Sequence, residues 1–119
     1  METLQHWING RPSAGTGERR GDVYNPATGE VEKGVVYASV EDVDSAVGTA
    51  KKAAESWNHA SLATRTRVLF AFRELANKHK DDLARMLTIE HGKVFSDAQG
   101  EVQRGLEVVE FACGIPHLL

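Results

Sequence analysis

The sequence predicts a mainly helical segment, with short N-terminal β-strands followed by three or four amphipathic helices. Three observations carry this. Residues 1–38 are turn-rich and β-like. Residues 39–119 repeat apolar side chains at helical spacing. The apolar faces are many and the strands few. Helices of this kind usually cover a sheet, and these 119 residues do not encode a substantial one. The expected division is therefore a β-rich arm over 1–38 and a helical part over 39–119.

His6-Trp7-Ile8 is the first expected strand, ended by the turn dipeptide Asn9-Gly10. Gly15-Thr16-Gly17 is a second break. Asp22-Val23-Tyr24 runs into Asn25-Pro26-Ala27-Thr28-Gly29, where proline fixes φ and glycine permits positive φ. Val35-Val36-Tyr37 is a β-branched and aromatic run within a third strand, Val31 to Ala38. Three short strands are too few to close a core alone.

Ser39 followed by Asp42 reads as an N-terminal capping signal. Val43, Ala46, Val47, Ala50, Ala54 and Trp57 then fall on one helix face. Asn58-His59 ends that helix. A second begins near Ser61, with Leu62, Leu69, Phe72, Leu75 and Ala76 as its stripe. Asp81 to His91 is a third short helix or a bent continuation, with Leu83, Met86 and Leu87 inward and Gly92 as its C-terminal stop. The last helix runs from about Val94, with Phe95, Ala98, Val102, Leu106, Val109 and Cys113 on one face. Its apolar stripe is expected to continue to the chain end.

The net charge of −3 and the scattered basic residues argue against nucleic acid or an anionic membrane surface as partner. The single cysteine, Cys113, allows no intramolecular disulfide and points to a reducing, cytoplasmic setting. Met1 to His6 has neither a basic nor an apolar run, which argues against a targeting signal.

Several residues invite a chemical reading. Cys113 and His117 stand four apart and could form a thiolate–imidazole pair, but the cysteine belongs to an apolar stripe and no third orienting group is in sight. Gly15-Thr16-Gly17 matches the first two glycines of a dinucleotide fingerprint. Arg20 then occupies the third place, and no strand–turn–helix surrounds it. The five histidines show no metal-binding pattern, so no metal is expected. Glu101, Glu107 and Glu110 read as a solvated face rather than an acid–base pair. Arg104 is offset from the apolar stripe, and spacing alone makes it an exposed arginine.

Short markers run in order along the chain. They are Trp7-Ile8-Asn9-Gly10, Asn25-Pro26-Ala27-Thr28-Gly29-Glu30, Asp42-Val43-Asp44-Ser45-Ala46-Val47, Arg65 to Leu69, Glu90-His91-Gly92-Lys93, and Gly100-Glu101-Val102. Together they resemble the N-terminal segment of the aldehyde dehydrogenase superfamily. The stretch Gly100 to Leu119, with Val102-Gln103-Arg104-Gly105 and Glu110-Phe111-Ala112-Cys113-Gly114-Ile115-Pro116, resembles its CoA-acylating methylmalonate-semialdehyde dehydrogenase branch.

The resemblance implies an α/β parent with the aldehyde dehydrogenase fold, in which residues 1–119 form the N-terminal part of the NAD-binding domain. It implies NAD and CoA as cofactors of the parent, a semialdehyde substrate and a homo-oligomer. It also implies that the nucleophilic cysteine, the general base and the cofactor glycines lie beyond Leu119. No catalytic and no cofactor-binding residue is then expected here, and the chain alone should be inactive. Arg104 matches a position at the substrate end of the site, where a guanidinium suits a substrate carboxylate. The apolar stretch up to Leu119 reads as a chain cut inside a helix, the first piece of a larger enzyme. The competing readings are a stand-alone helical oligomerisation or binding module and a small thiol site at Cys113–His117.

Overall fold

Asn9-Gly10 ends the His6–Ile8 strand, as its place predicts, and turns the chain back into a further strand. The computed structural model describes residues 2–119. Among them β1 (Glu2–Leu4) is followed by a hairpin of β2 (His6–Ile8) and β3 (Arg11–Ser13). Asn9 and Gly10 adopt φ of 57° and 71°, and Ile8 stands opposite Arg11. These are the marks of a two-residue hairpin loop whose twist matches its strands. β4 (Arg20–Tyr24) and β5 (Val31–Val36) then join β1 in a three-stranded sheet of order β1-β5-β4. β5 is central, parallel to β1 and antiparallel to β4. The described residues thus hold five strands where three were expected.

Four helices follow: α1 (Val40–Trp57), α2 (Leu62–Lys78), α3 (Lys80–His91) and α4 (Phe95–Cys113). The packing forms two compact units, one ending at His59 and the other spanning Ala60–Leu119. The first contains the strands and α1, and the second contains α2, α3 and α4.

In the first unit the start of α1 is tied to the loop between β3 and β4. Ser39 caps the helix in an extended conformation, accepting from the Asp42 amide at 3.1 Å while Asp42 Oδ2 accepts from the Ser39 amide at 3.0 Å. This is the capping box that the Ser39–Asp42 spacing predicts. Asp42 also reaches outside its helix. Its Oδ2 accepts from the Thr16 amide at 2.8 Å and its Oδ1 from the Thr16 hydroxyl at 3.2 Å. The donated amide of Thr16, followed by that of Ser39, lowers the carboxyl from its ordinary 3.8 to about 2.

A carboxylate depressed in this way stabilises the fold fully above its ordinary value. That contribution disappears as pH falls from about 4 to about 2. Asp42→Asn is therefore expected to melt below the wild type at neutral pH, with the gap closing over that acid interval. Circular-dichroism melts from pH 7 to pH 2 measure it, and a pH-independent gap would contradict the assignment.

In the second unit α2 and α3 are separate helices. They meet at His79, whose φ of −103° and ψ of 17° break the helical run. Gly92 ends α3 in the left-handed conformation, at φ 81°, as its position predicts. α4 stops at Cys113. Gly114 caps it, and Ile115–Leu118 form a 3-10 turn with Pro116 near its start. The last helix therefore does not run to the chain end. Pro116 lacks an N–H and would clash with the preceding turn of an α-helix.

Ala84, Ala98, Leu106 and Cys113 form the buried apolar positions of this unit. Leu83 and Met86, expected inward, are 44% and 53% exposed. The stripe residues Val43, Val47, Phe72 and Leu75 are exposed as well. The helices form where the apolar periodicity places them, but apart from Leu106 most large side chains of their stripes are not enclosed.

Candidate functional site

The segment from Gly92 to the middle of α4 gathers the chemistry-bearing residues of the second unit. The left-handed turn at Gly92 reverses the chain so that Lys93 precedes α4 rather than continuing α3. The start of α4 is held against α3 at two points. The Arg85 guanidinium lies 5.8 Å from the centre of the Phe95 ring, a cation–π contact, and Gln99 Nε2 donates to Asp81 Oδ1 at 3.1 Å. Farther along, α4 buries Ala98, Leu106 and Cys113 on one side.

Arg104 precedes Leu106 by two residues, which puts it about 200° around the helix from that buried leucine. It is accordingly exposed. Its nearest acidic neighbours along the helix are Glu101 and Glu107, one turn to either side. Glu101 is bonded to Lys93 Nζ. That bond is the first cause of its lowered carboxyl pKa, with His91 and Arg104 adding weaker through-space attraction. Glu107 accepts a long bond of 3.5 Å from Gln103 Nε2. Glu110 accepts two bonds from Arg73, at 2.6 Å and 3.1 Å. That pairing, with a further bond from Arg73 to Glu74, raises the arginine pKa. Each of the three glutamates of α4 thus accepts a hydrogen bond from a side chain of this unit.

The other candidate motifs are accounted for structurally. Cys113 is buried, at the end of α4, while His117 lies beyond Gly114 in the 3-10 turn. They do not share a helix face. Gly15-Thr16-Gly17 is packed against its own unit. A Cβ on Gly15 would meet the His6 ring at 2.8 Å, one on Gly17 would meet the Tyr37 carbonyl oxygen at 1.8 Å, and the Thr16 amide is already donated to Asp42. No helix begins there. A pyrophosphate needs open glycines and free amides at a helix N-terminus, so these residues do not fit NAD. Among the described residues no cluster of histidine, cysteine and carboxylate side chains could hold a metal ion.

One feature of this unit depends on packing that the sequence does not reveal. An open apolar groove of 440 Å³ is lined by Phe72, Met86 and Leu87 together with Val102, Leu106 and Val109. The helix stripes name all six of these residues, but the gap left between α2, α3 and α4 depends on how the helices pack.

The aldehyde dehydrogenase family profile matches residues 13–119. The malonate-semialdehyde dehydrogenase 3 of Geobacillus kaustophilus (strain HTA426) is 48% identical over 118 residues, which are 99% of this chain and 24% of that protein. A malonate-semialdehyde dehydrogenase of Listeria monocytogenes serotype 4b (strain CLIP80459) is 45% identical over 119 residues, again 24% of its length. Among solved structures, a protein of Sinorhizobium meliloti 1021 assigned as a methylmalonate-semialdehyde dehydrogenase and complexed with NAD matches with a TM-score of 0.93. It shows 47% identity over 99% of this chain and 24% of its own. An NAD-dependent benzaldehyde dehydrogenase of Corynebacterium glutamicum matches with a TM-score of 0.88 at 27% identity, over 96% of this chain and 25% of its own. The chain thus spans about a quarter of the length of the relatives it matches. With the ordered markers, the strand-then-helix architecture and a family match over residues 13–119 in agreement, the chain belongs to the aldehyde dehydrogenase family.

Proposed function

We propose that these residues are the N-terminal part of a dehydrogenase that oxidises malonate or methylmalonate semialdehyde to acetyl-CoA or propionyl-CoA, with loss of CO₂. The observation that carries this reading is the 48% identity, across nearly the whole chain, to a malonate-semialdehyde dehydrogenase. In such a reaction NAD accepts the hydride and CoA takes the acyl group. The role that falls to these residues is recognition. Arg104 binds the carboxylate of the semialdehyde, since a planar guanidinium presents paired donors to its two oxygens. Its exposed place on α4 supports that role, because a ligand can reach it.

The working protein is a homo-oligomer in the cytoplasm. The exposed apolar residues of α1 and α2 and the open groove of the second unit favour burial against further protein. Among the described residues no helix is long and apolar enough to cross a membrane.

The 119-residue chain by itself is inactive. Its only thiol, Cys113, is buried, and its glycine turn is filled by its own unit. Purified chain mixed with malonate semialdehyde, NAD and CoA is expected to give no absorbance of reduced nicotinamide, whereas the longer dehydrogenase carrying it gives a linear rise. Turnover by the chain alone would refute the reading.

A further inference from the structure

Glu101 and Arg104 are three residues apart on α4, a spacing at which a carboxylate and a guanidinium ordinarily pair. Here they do not. Glu101 is bonded instead to Lys93, which lies before the helix. The lysine side chain is only 18% exposed against 45% for the glutamate. Lys93 is thus laid down against the protein and draws the carboxylate to itself. Arg104 keeps no hydrogen-bonded carboxylate among the described residues.

A side chain on a helix leans back over the preceding turn. For Arg104 that turn holds Gly100 and Glu101, and Gly100 has no side chain to occupy the space. Glu101 is therefore the group placed to capture the arginine if Lys93 releases it. A carboxylate tethered one turn away competes with a free substrate at a high effective concentration.

We propose that Lys93 is a positioning residue for the carboxylate site: by holding Glu101, it keeps the Arg104 guanidinium open to the carboxylate of the substrate. The inference rests on the reading of Arg104 given above. The three charges then have distinct roles. Lys93 neutralises, Glu101 is the internal rival, and Arg104 receives the ligand. Lys93 acts on this site only through Glu101.

The test uses the full-length dehydrogenase, with malonate semialdehyde and propanal as parallel substrates. Lys93→Ala is expected to raise KM for the semialdehyde roughly 10-fold, the scale of one diverted charge-assisted hydrogen bond. It should leave kcat and the kinetics with propanal unchanged. Removing the rival as well, in Lys93→Ala/Glu101→Ala, is expected to restore the KM. A lysine that only supports the fold would weaken both substrates, and a second deletion would not repair it. Lys93→Arg, which keeps the charge, is expected to retain the wild-type KM and supplies a variant should the alanine form not fold.

An unchanged KM in Lys93→Ala, or failure of the double variant to recover, overturns the inference. Arg104→Ala, run alongside, separates the two levels. If it is selective for the semialdehyde while Lys93→Ala has no effect, only the role of Lys93 falls. If it harms both aldehydes alike, the carboxylate reading falls and the role of Lys93 with it.

Discussion

Arg104→Ala in the full-length dehydrogenase is expected to lower kcat/KM for malonate semialdehyde by about 2–5 kcal/mol, the usual cost of deleting one partner of a desolvated charge pair. That is roughly 30- to 4,000-fold, at tenfold per 1.4 kcal/mol. Propanal has no carboxylate to lose its partner, so its oxidation should change little. The comparison matters more than either number, because a loss of fold would affect both substrates. Arg104 is suited to such a variant. It is exposed on the side of α4 away from Leu106, and it makes no hydrogen bond to a described residue. Its removal should leave the helix intact. Arg104→Lys keeps the charge but not the planar pair of donors, so it should recover only part of the activity. Steady-state kinetics on both aldehydes decides the matter, and equal losses would make Arg104 a structural residue.

The second large effect concerns stability. Gly17→Ala is expected to destabilise the first unit by about 3 kcal/mol or more, at or beyond the upper end for overpacking. The new Cβ would lie 1.8 Å from the Tyr37 carbonyl oxygen, 3.0 Å from its carbon and 3.3 Å from the Ser39 amide nitrogen. All three are backbone atoms, so no side-chain rotation relieves the clash. Tyr37 is fixed by its backbone N–H, which donates a hydrogen bond to the Arg19 carbonyl oxygen at 2.9 Å, and Ser39 caps α1. The chain must part at this contact, and the cap moves with it. Gly29→Ala is the matched control. Its φ is +75° but nothing lies within 4 Å, so only the left-handed backbone cost of about 1–2 kcal/mol applies. Urea titrations of the two variants should rank Gly17→Ala well below Gly29→Ala, and the reverse order would show that the Gly17 contact can relax.

The helices were legible because their signals are local. The capping residues Ser39 and Ser61, the stop at Gly92 and the apolar periodicity between them each act within a turn or two. The strands were less so. The Asn9-Gly10 dipeptide contained a hairpin signal, but β3 consists of Arg11, Pro12 and Ser13, a poor strand by composition. Proline is tolerated there because the hairpin has only two strands, which leaves each with an unpaired side. β1 pairs in parallel with β5, about thirty residues later, and no three-residue window encodes such a partner. The extent of α4 was overread because apolar spacing past Cys113 outweighed Pro116. At the candidate site the exposure of Arg104 followed from spacing. The Lys93–Glu101 bond did not, since it depends on the turn at Gly92 and on a side chain lying along the protein surface.

α4 is fixed at both ends, by the left-handed Gly92 before it and the contact of its first residue, Phe95, and by Gly114 and Pro116 after it. Between those clamps the helix acts as a ruler. Each residue inserted or removed between Phe95 and Arg104 would turn the arginine by about 100° and shift it by about 1.5 Å. A single deletion would swing the guanidinium toward the buried side while the helix itself could still form. A change in the length of this stretch would disconnect the arginine from whatever it faces.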